Sequence, residues 1–75
     1  MESEIVAKYY FCPLNNVGQV TVYACYESSL DMQNRNVSHY DIYDKYGRCM
    51  NEGDPFYQFP TWETIFDEYY MPTVN

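Results

Sequence analysis

The chain has 75 residues, with 11 Asp plus Glu against 4 Lys plus Arg and a formal net charge of −7. That length suits one compact domain over residues 1–75, burying only about 60% of its unfolded surface and leaving little room for a deep catalytic cleft. The charge argues against direct binding of nucleic acid, whose phosphates demand clustered Lys and Arg, and a composition 47% hydrophobic and 20% aromatic argues against a disordered chain.

The opening MESEIVAKYYF carries two carboxylates and no basic stretch ahead of an apolar run, so a secretory signal is not expected. No segment approaches the roughly 18 to 20 apolar residues of a membrane span. Residues 5–12 (IVAKYYFC) and 19–27 (QVTVYACYE) are rich in β-branched and aromatic side chains. The turn-forming residues 13–18 between them predict a β-hairpin. In the second strand Val20, Val22, Ala24 and Tyr26 share one face, and Thr21, Tyr23, Cys25 and Glu27 the other. In the first, alternation groups Ile5, Ala7, Tyr9 and Phe11 against Val6, Lys8, Tyr10 and Cys12, so both faces carry rings.

Residues 28–38 show no period and read as a loop, with Leu30 and Met32 as the side chains to pin it. Residues 39–43 (HYDIY) alternate as a third strand, and 44–47 form a turn. Residues 48–50 suggest a short fourth strand, and 51–55 a second turn. Thr61 is placed to cap a helix over 62–71, stopped by Pro72, with Trp62, Ile65, Phe66, Tyr69 and Tyr70 as an apolar stripe. The expected fold is α+β: an antiparallel sheet of three to four strands, N-terminal hairpin first, with one C-terminal amphipathic helix packed on a face.

The residues that bear chemistry form no familiar pattern. Cys12, Cys25 and Cys49 are an odd set without C-x-x-C spacing, so free thiols in a reducing cytoplasm are expected, the host cytoplasm if the chain is phage-encoded. In that setting the sequon Asn36-Val37-Ser38 is incidental. With His39 the cysteines match no zinc-finger spacing, and neither a metal nor a cofactor is expected. His39 and Asp41 fall on one face of a strand, but no local signature links a Cys or Ser nucleophile to them, and a partly exposed strand histidine is expected. There is no glycine-rich phosphate loop, and no catalytic residue is assigned.

Ten tyrosines exceed what so small a core holds, which points to rings at an interface. Tyr40 and Tyr43 beside Asp41 also have the acidic neighbours common at kinase targets. From Asp41 onward the net charge is −5, from seven acids and two bases. Glu63 and Asp67 lie about 6 Å apart along an α-helix, roughly two phosphate steps of a DNA strand.

In size, acidity and lack of a catalytic motif, the chain resembles the small inhibitor proteins that phages use against host defences. Anti-CRISPR and anti-restriction proteins are among these, and several imitate DNA. The resemblance implies binding to a positively charged nucleic-acid-binding protein or nuclease complex, with no direct nucleic acid and no membrane. Asp41, Tyr43, Asp44, Tyr46, Glu52, Asp54, Glu63, Asp67 and Glu68 are the expected contact residues, provided that the acids share one side. The alternative is a small structural or adaptor subunit, or a homodimer, associating through Tyr-rich hydrophobic surface.

Overall fold

A computed structural model describes residues 1–11 and 18–70 of the chain. Strand β1 (Glu2–Phe11) pairs antiparallel with β2 (Gly18–Tyr26), and β2 pairs antiparallel with β3 (His39–Tyr43), in the order β1-β2-β3. The expected hairpin and third strand are therefore present, while Cys12 and the turn residues 13–17 lie outside the described residues. The alternation read in β2 sets its faces: Val20, Val22, Ala24 and Tyr26 are buried against the core. Val20, Val22, Ile42 and Ile65 form the core cluster, flanked by Ala7, Tyr9, Tyr40, Met50, Phe56, Phe66 and Tyr69. Burying each of the four aliphatic side chains contributes about 1.5–3 kcal/mol before the entropic cost of ordering.

Strict alternation fails in β1. Ile5 pairs with Tyr23 and Ala7 with Val22, so Val6 is an extra residue in a β-bulge. The bulge reverses the face of everything before it. Glu2 and Glu4 join Ala7 and Tyr9 on the core side, opposite Tyr26 and Ala24, while Ser3 and Ile5 join Lys8 and Tyr10 on the open side. Expected to share a face with Ala7, Ile5 is instead half exposed. The core-side placement of Glu4 is matched by its partners: Tyr26 Oη donates to Glu4 Oε2 at 2.8 Å, and Arg35 Nη1 at 3.2 Å.

Two connections differ from expectation. Within the expected loop 28–38 lies a short helix, α1 (Ser29–Gln33), whose start is capped by the Ser28 hydroxyl accepting from Asp31 N at 3.1 Å. None of its residues is buried and Leu30 is exposed, so it has no apolar stripe for a periodicity argument to detect.

The expected fourth strand is also missing among the described residues, where Cys49 makes a single bridge to Tyr43. A loop covers the outer edge of β3 instead. Tyr40 exchanges both backbone bonds with Phe56, Met50 N donates to Ile42 O at 2.8 Å, and Ile42 N donates to the side chain of Asn51 at 3.1 Å. Buried Asn51 thus supplies with its amide the acceptor that a neighbouring strand's carbonyl would have been.

Helix α2 (Trp62–Ile65) begins where expected, with Thr61 Oγ1 accepting from Thr64 N at 3.3 Å. It then widens into a π-helical turn, Phe66–Tyr70, rather than continuing as an α-helix. The expected stripe is correspondingly partial. Ile65 is buried and Phe66 and Tyr69 pack on the core, but Trp62 is 53% exposed. Among the described residues no helix is long and apolar enough to cross a membrane.

Candidate functional site

Ile65 of the helical segment packs with Val20, Val22 and Ile42 on one side of the three-stranded sheet, and among the described residues no helix packs on the other. Along its centre run Thr21, Tyr23 and Cys25 of β2, facing Tyr43, Asp41 and His39 of β3 residue for residue. Tyr23 and Tyr43 meet edge to face, 5.2 Å between centroids. Their rings help to enclose the floor, where Thr21 and Cys25 are buried although no helix or strand among the described residues packs over this face. Beside the tyrosines lies a hollow of about 500 Å³ lined by Ser3, Gln19, Cys25, Asp41, Asp44 and Lys45 among others.

At one end of this face Cys25, His39 and Asp41 converge, with one ligating atom from each lying within 4.8 Å of the others. Cys25 Sγ donates to Asp41 Oδ2 at 3.5 Å, and His39 Nε2 stands 3.5 Å from the same oxygen. Ser38 Oγ is 3.1 Å from His39 Nδ1. Burial, followed by the negative charge of Asp41, pushes the Cys25 thiol up to about 11. A nucleophilic cysteine needs the opposite shift, toward thiolate, and an imidazole placed to take its proton. The cluster therefore has the donors of a metal site, with a thiol that stays protonated until a cation or a base lowers it.

Of the other cysteines, Cys49 is a half-buried free thiol donating to Asn51 Oδ1 at 3.3 Å. Cys12 lies outside the described residues.

The predicted contact residues divide into three groups. Asp41 and Tyr43 belong to the open face. Asp44 closes the following turn: its Oδ1 accepts from Tyr46 N and Arg48 N, both at 2.9 Å, and its Oδ2 lies 3.4 Å from Arg48 Nε. The Arg48 backbone N–H is the largest cause holding Asp44 below the usual carboxylate range. Tyr46 is exposed, with Lys45 and Arg48 over its ring at 5.3 and 5.6 Å. This turn therefore mixes both signs of charge.

The remaining five acids, Glu52, Asp54, Glu63, Asp67 and Glu68, are all exposed, and no Lys, Arg or His follows Arg48 in the sequence. Asp54 and Glu68 both act on the Tyr69 hydroxyl, which burial raises above its usual range and their charges raise further. The turn and the helix thus bring acids together there. The seven predicted acids do not form one ridge, because Asp41 points away from the core that the helix covers. The α-helical spacing assumed for Glu63 and Asp67 also fails, since Asp67 sits in the π-helical turn.

Three rings missing from the sequence-based set border the acidic segment: Tyr57, Phe59 and Trp62 are 76%, 45% and 53% exposed. Phe59 also stacks edge to face on Tyr40, 5.5 Å between centroids, which holds it in place. The signal was there in Pro-Phe-Tyr-Gln-Phe-Pro over 55–60, a ring-rich run bounded by prolines with no strand or helix period. No family model, curated protein or solved structure matches the chain.

Proposed function

We propose that the chain is a small non-enzymatic inhibitor of the phage anti-defence type, anti-CRISPR or anti-restriction. In this reading it occupies the cationic site of a nucleic-acid-binding protein or nuclease complex and blocks access of the nucleic acid by standing in for DNA. One observation carries the reading: five exposed acids without a basic residue among them, interleaved with three exposed rings, over residues 52–68. The acids supply the charge that a phosphate-binding groove is built to receive, and the long-range attraction that speeds encounter. Tyr57, Phe59 and Trp62 supply the amphipathic anchors that acids alone lack.

The test is capture from a bacterial lysate at about 0.1 M and about 0.5 M salt, a range over which screening between exposed charges strengthens markedly. The captured protein is identified and its nucleic-acid binding measured with and without the chain. The expected partner binds nucleic acid, is lost at high salt, and is displaced from its nucleic acid by the chain. Glu63→Lys with Asp67→Lys slows association tenfold or more, on the order expected for losing electrostatic steering. Partners that do not bind nucleic acid, or capture indifferent to salt and to this charge reversal, refute the proposal.

A second reading rests on a different observation. β1 is an edge strand, and Ile5, Val6 and Tyr10 on it are exposed. A structural or adaptor subunit would pair there, insensitive to salt and weakened by Val6→Lys rather than by reversal of the helix acids.

A further inference from the structure

We propose that Cys25, His39 and Asp41 form a binding site for a zinc-type divalent transition ion, with Cys25 Sγ, His39 Nε2 and one Asp41 oxygen as ligands. Two of the three, Cys25 and Asp41, also line the hollow beside the tyrosines. The geometry begins with the backbone. Cys25 and His39 are directly opposed across β2 and β3, and Asp41 is the next residue of β3 on the same face, so sheet pairing brings all three donors together. Sites built on paired strands hold their ligands more firmly than sites on loops.

The spacing fits the ion. Zinc–sulfur bonds near 2.3 Å and zinc–nitrogen or –oxygen bonds near 2.1 Å place tetrahedral ligand atoms about 3.3–3.6 Å apart. Two edges of the triangle, Sγ to Oδ2 and Nε2 to Oδ2, are each 3.5 Å, and a ring nitrogen of His39 lies within 4.8 Å of Cys25 Sγ, so a bound ion would draw that pair closer. A thiolate, an imidazole and a carboxylate suit zinc, whereas magnesium and calcium take oxygen ligands.

The outer shell agrees. Ser38 Oγ lies within hydrogen-bond distance of His39 Nδ1, so it can accept the Nδ1 proton and leave the Nε2 lone pair aimed at the cluster. Without an ion, the other tautomer lets Nε2–H face Asp41 Oδ2 while Ser38 Oγ–H donates to Nδ1, and binding exchanges that pair for the ligand form. Binding replaces the Cys25 S–H bond with an S–metal bond, and the thiol proton leaves to solvent.

The test uses the full, reduced chain and cobalt(II) chloride as a spectroscopic probe, followed by displacement with zinc chloride. The expected result is one ion per chain, with a thiolate-to-cobalt charge-transfer band in the near ultraviolet that zinc abolishes. Cys25→Ser removes the band. His39→Gln and Asp41→Asn each weaken binding tenfold or more, and Ser38→Ala weakens it about tenfold as an outer-shell loss. Cys49→Ser leaves band and stoichiometry unchanged. Circular dichroism of each variant establishes that it is folded, and Ser38→Ala, outside the ligand set, gives a reading should a ligand variant unfold. A wild-type chain without the band, or a band that survives Cys25→Ser or disappears in folded Cys49→Ser, overturns the proposal. In the first case the three residues are a hydrogen-bonded polar cluster only.

Discussion

Replacing Asn51 by alanine removes the amide that stands in for a missing strand. Asn51 is 2% exposed; its Oδ1 accepts from Ile42 N at 3.1 Å, and its Nδ2 donates to Tyr40 O and Asp54 O, each at 3.3 Å. Truncation leaves the Ile42 N–H buried at the strand edge without a partner, which costs about 1–3 kcal/mol. The other losses are smaller, because Tyr40 O keeps its bond from Phe56 N and exposed Asp54 can turn its carbonyl to water. The expected total is about 2–4 kcal/mol, against an overall stability of about 4–11 kcal/mol for a domain of this length. The midpoint of thermal unfolding should fall by about 10–30 °C. Urea denaturation followed by circular dichroism measures the loss, and amide hydrogen exchange at Ile42 localises it. Glu52→Ala, the exposed neighbour, should stay within about 0.5 kcal/mol of wild type. A loss for Asn51→Ala no larger than that of Glu52→Ala, or an Ile42 amide as protected as before, would refute the role assigned to Asn51.

Two further outcomes follow from the turn after β3. Gly47 has φ +82° and a Cβ built there meets nothing within 4 Å, so Gly47→Ala should cost about 1 kcal/mol from backbone strain alone, and Gly47→Asn less. Equal stability of Gly47→Ala and wild type in urea would mean that the turn reaches a negative φ without cost. Asp44 titrates below the ordinary 3.8 because the N–H groups of Arg48 and Tyr46 and the Arg48 charge favour its ionised form. Its contribution to stability is therefore present above 3.8 and lost as pH falls through the lower folded value. Asp44→Asn should flatten that part of the acid-unfolding curve; an unchanged curve counts against it.

How much of this was legible can be judged residue by residue. The faces of β2 could be read because Val20, Val22 and Ala24 alternate with the more polar Thr21, Tyr23 and Cys25, and the start of α2 because Thr61 is a local cap. The β1 bulge could not be read, since nothing in ESEIVAKYYF marks Val6 as extra until the strand is set beside β2. Asn51 looked like a turn residue, which it also is: Asp54 N donates to its carbonyl at 2.9 Å. Its side chain's role depends on the outer edge of β3, with which no further strand among the described residues pairs, a feature of the fold and not of the segment. Whether the acids share one side could not be read, because their order in the chain hides that Asp41 and the helix lie on opposite sides of the sheet.

The same division holds for the functional surfaces. Charge sign, ring content, strand alternation and helix capping depend on composition or on neighbours a few residues apart, and the sequence alone determined them. It also placed His39 and Asp41 on one face, but not which cysteine would join them. That choice, like the separation of the acids and the gathering of exposed rings beside Glu63, was made by the pairing of β2 with β3 and the docking of Ile65. A strand's side chains alternate at every residue, so a slip of one position in pairing would move Cys25 to the core and leave His39 and Asp41 without it. Register is a property of two segments packed together, and only the tertiary structure decides it.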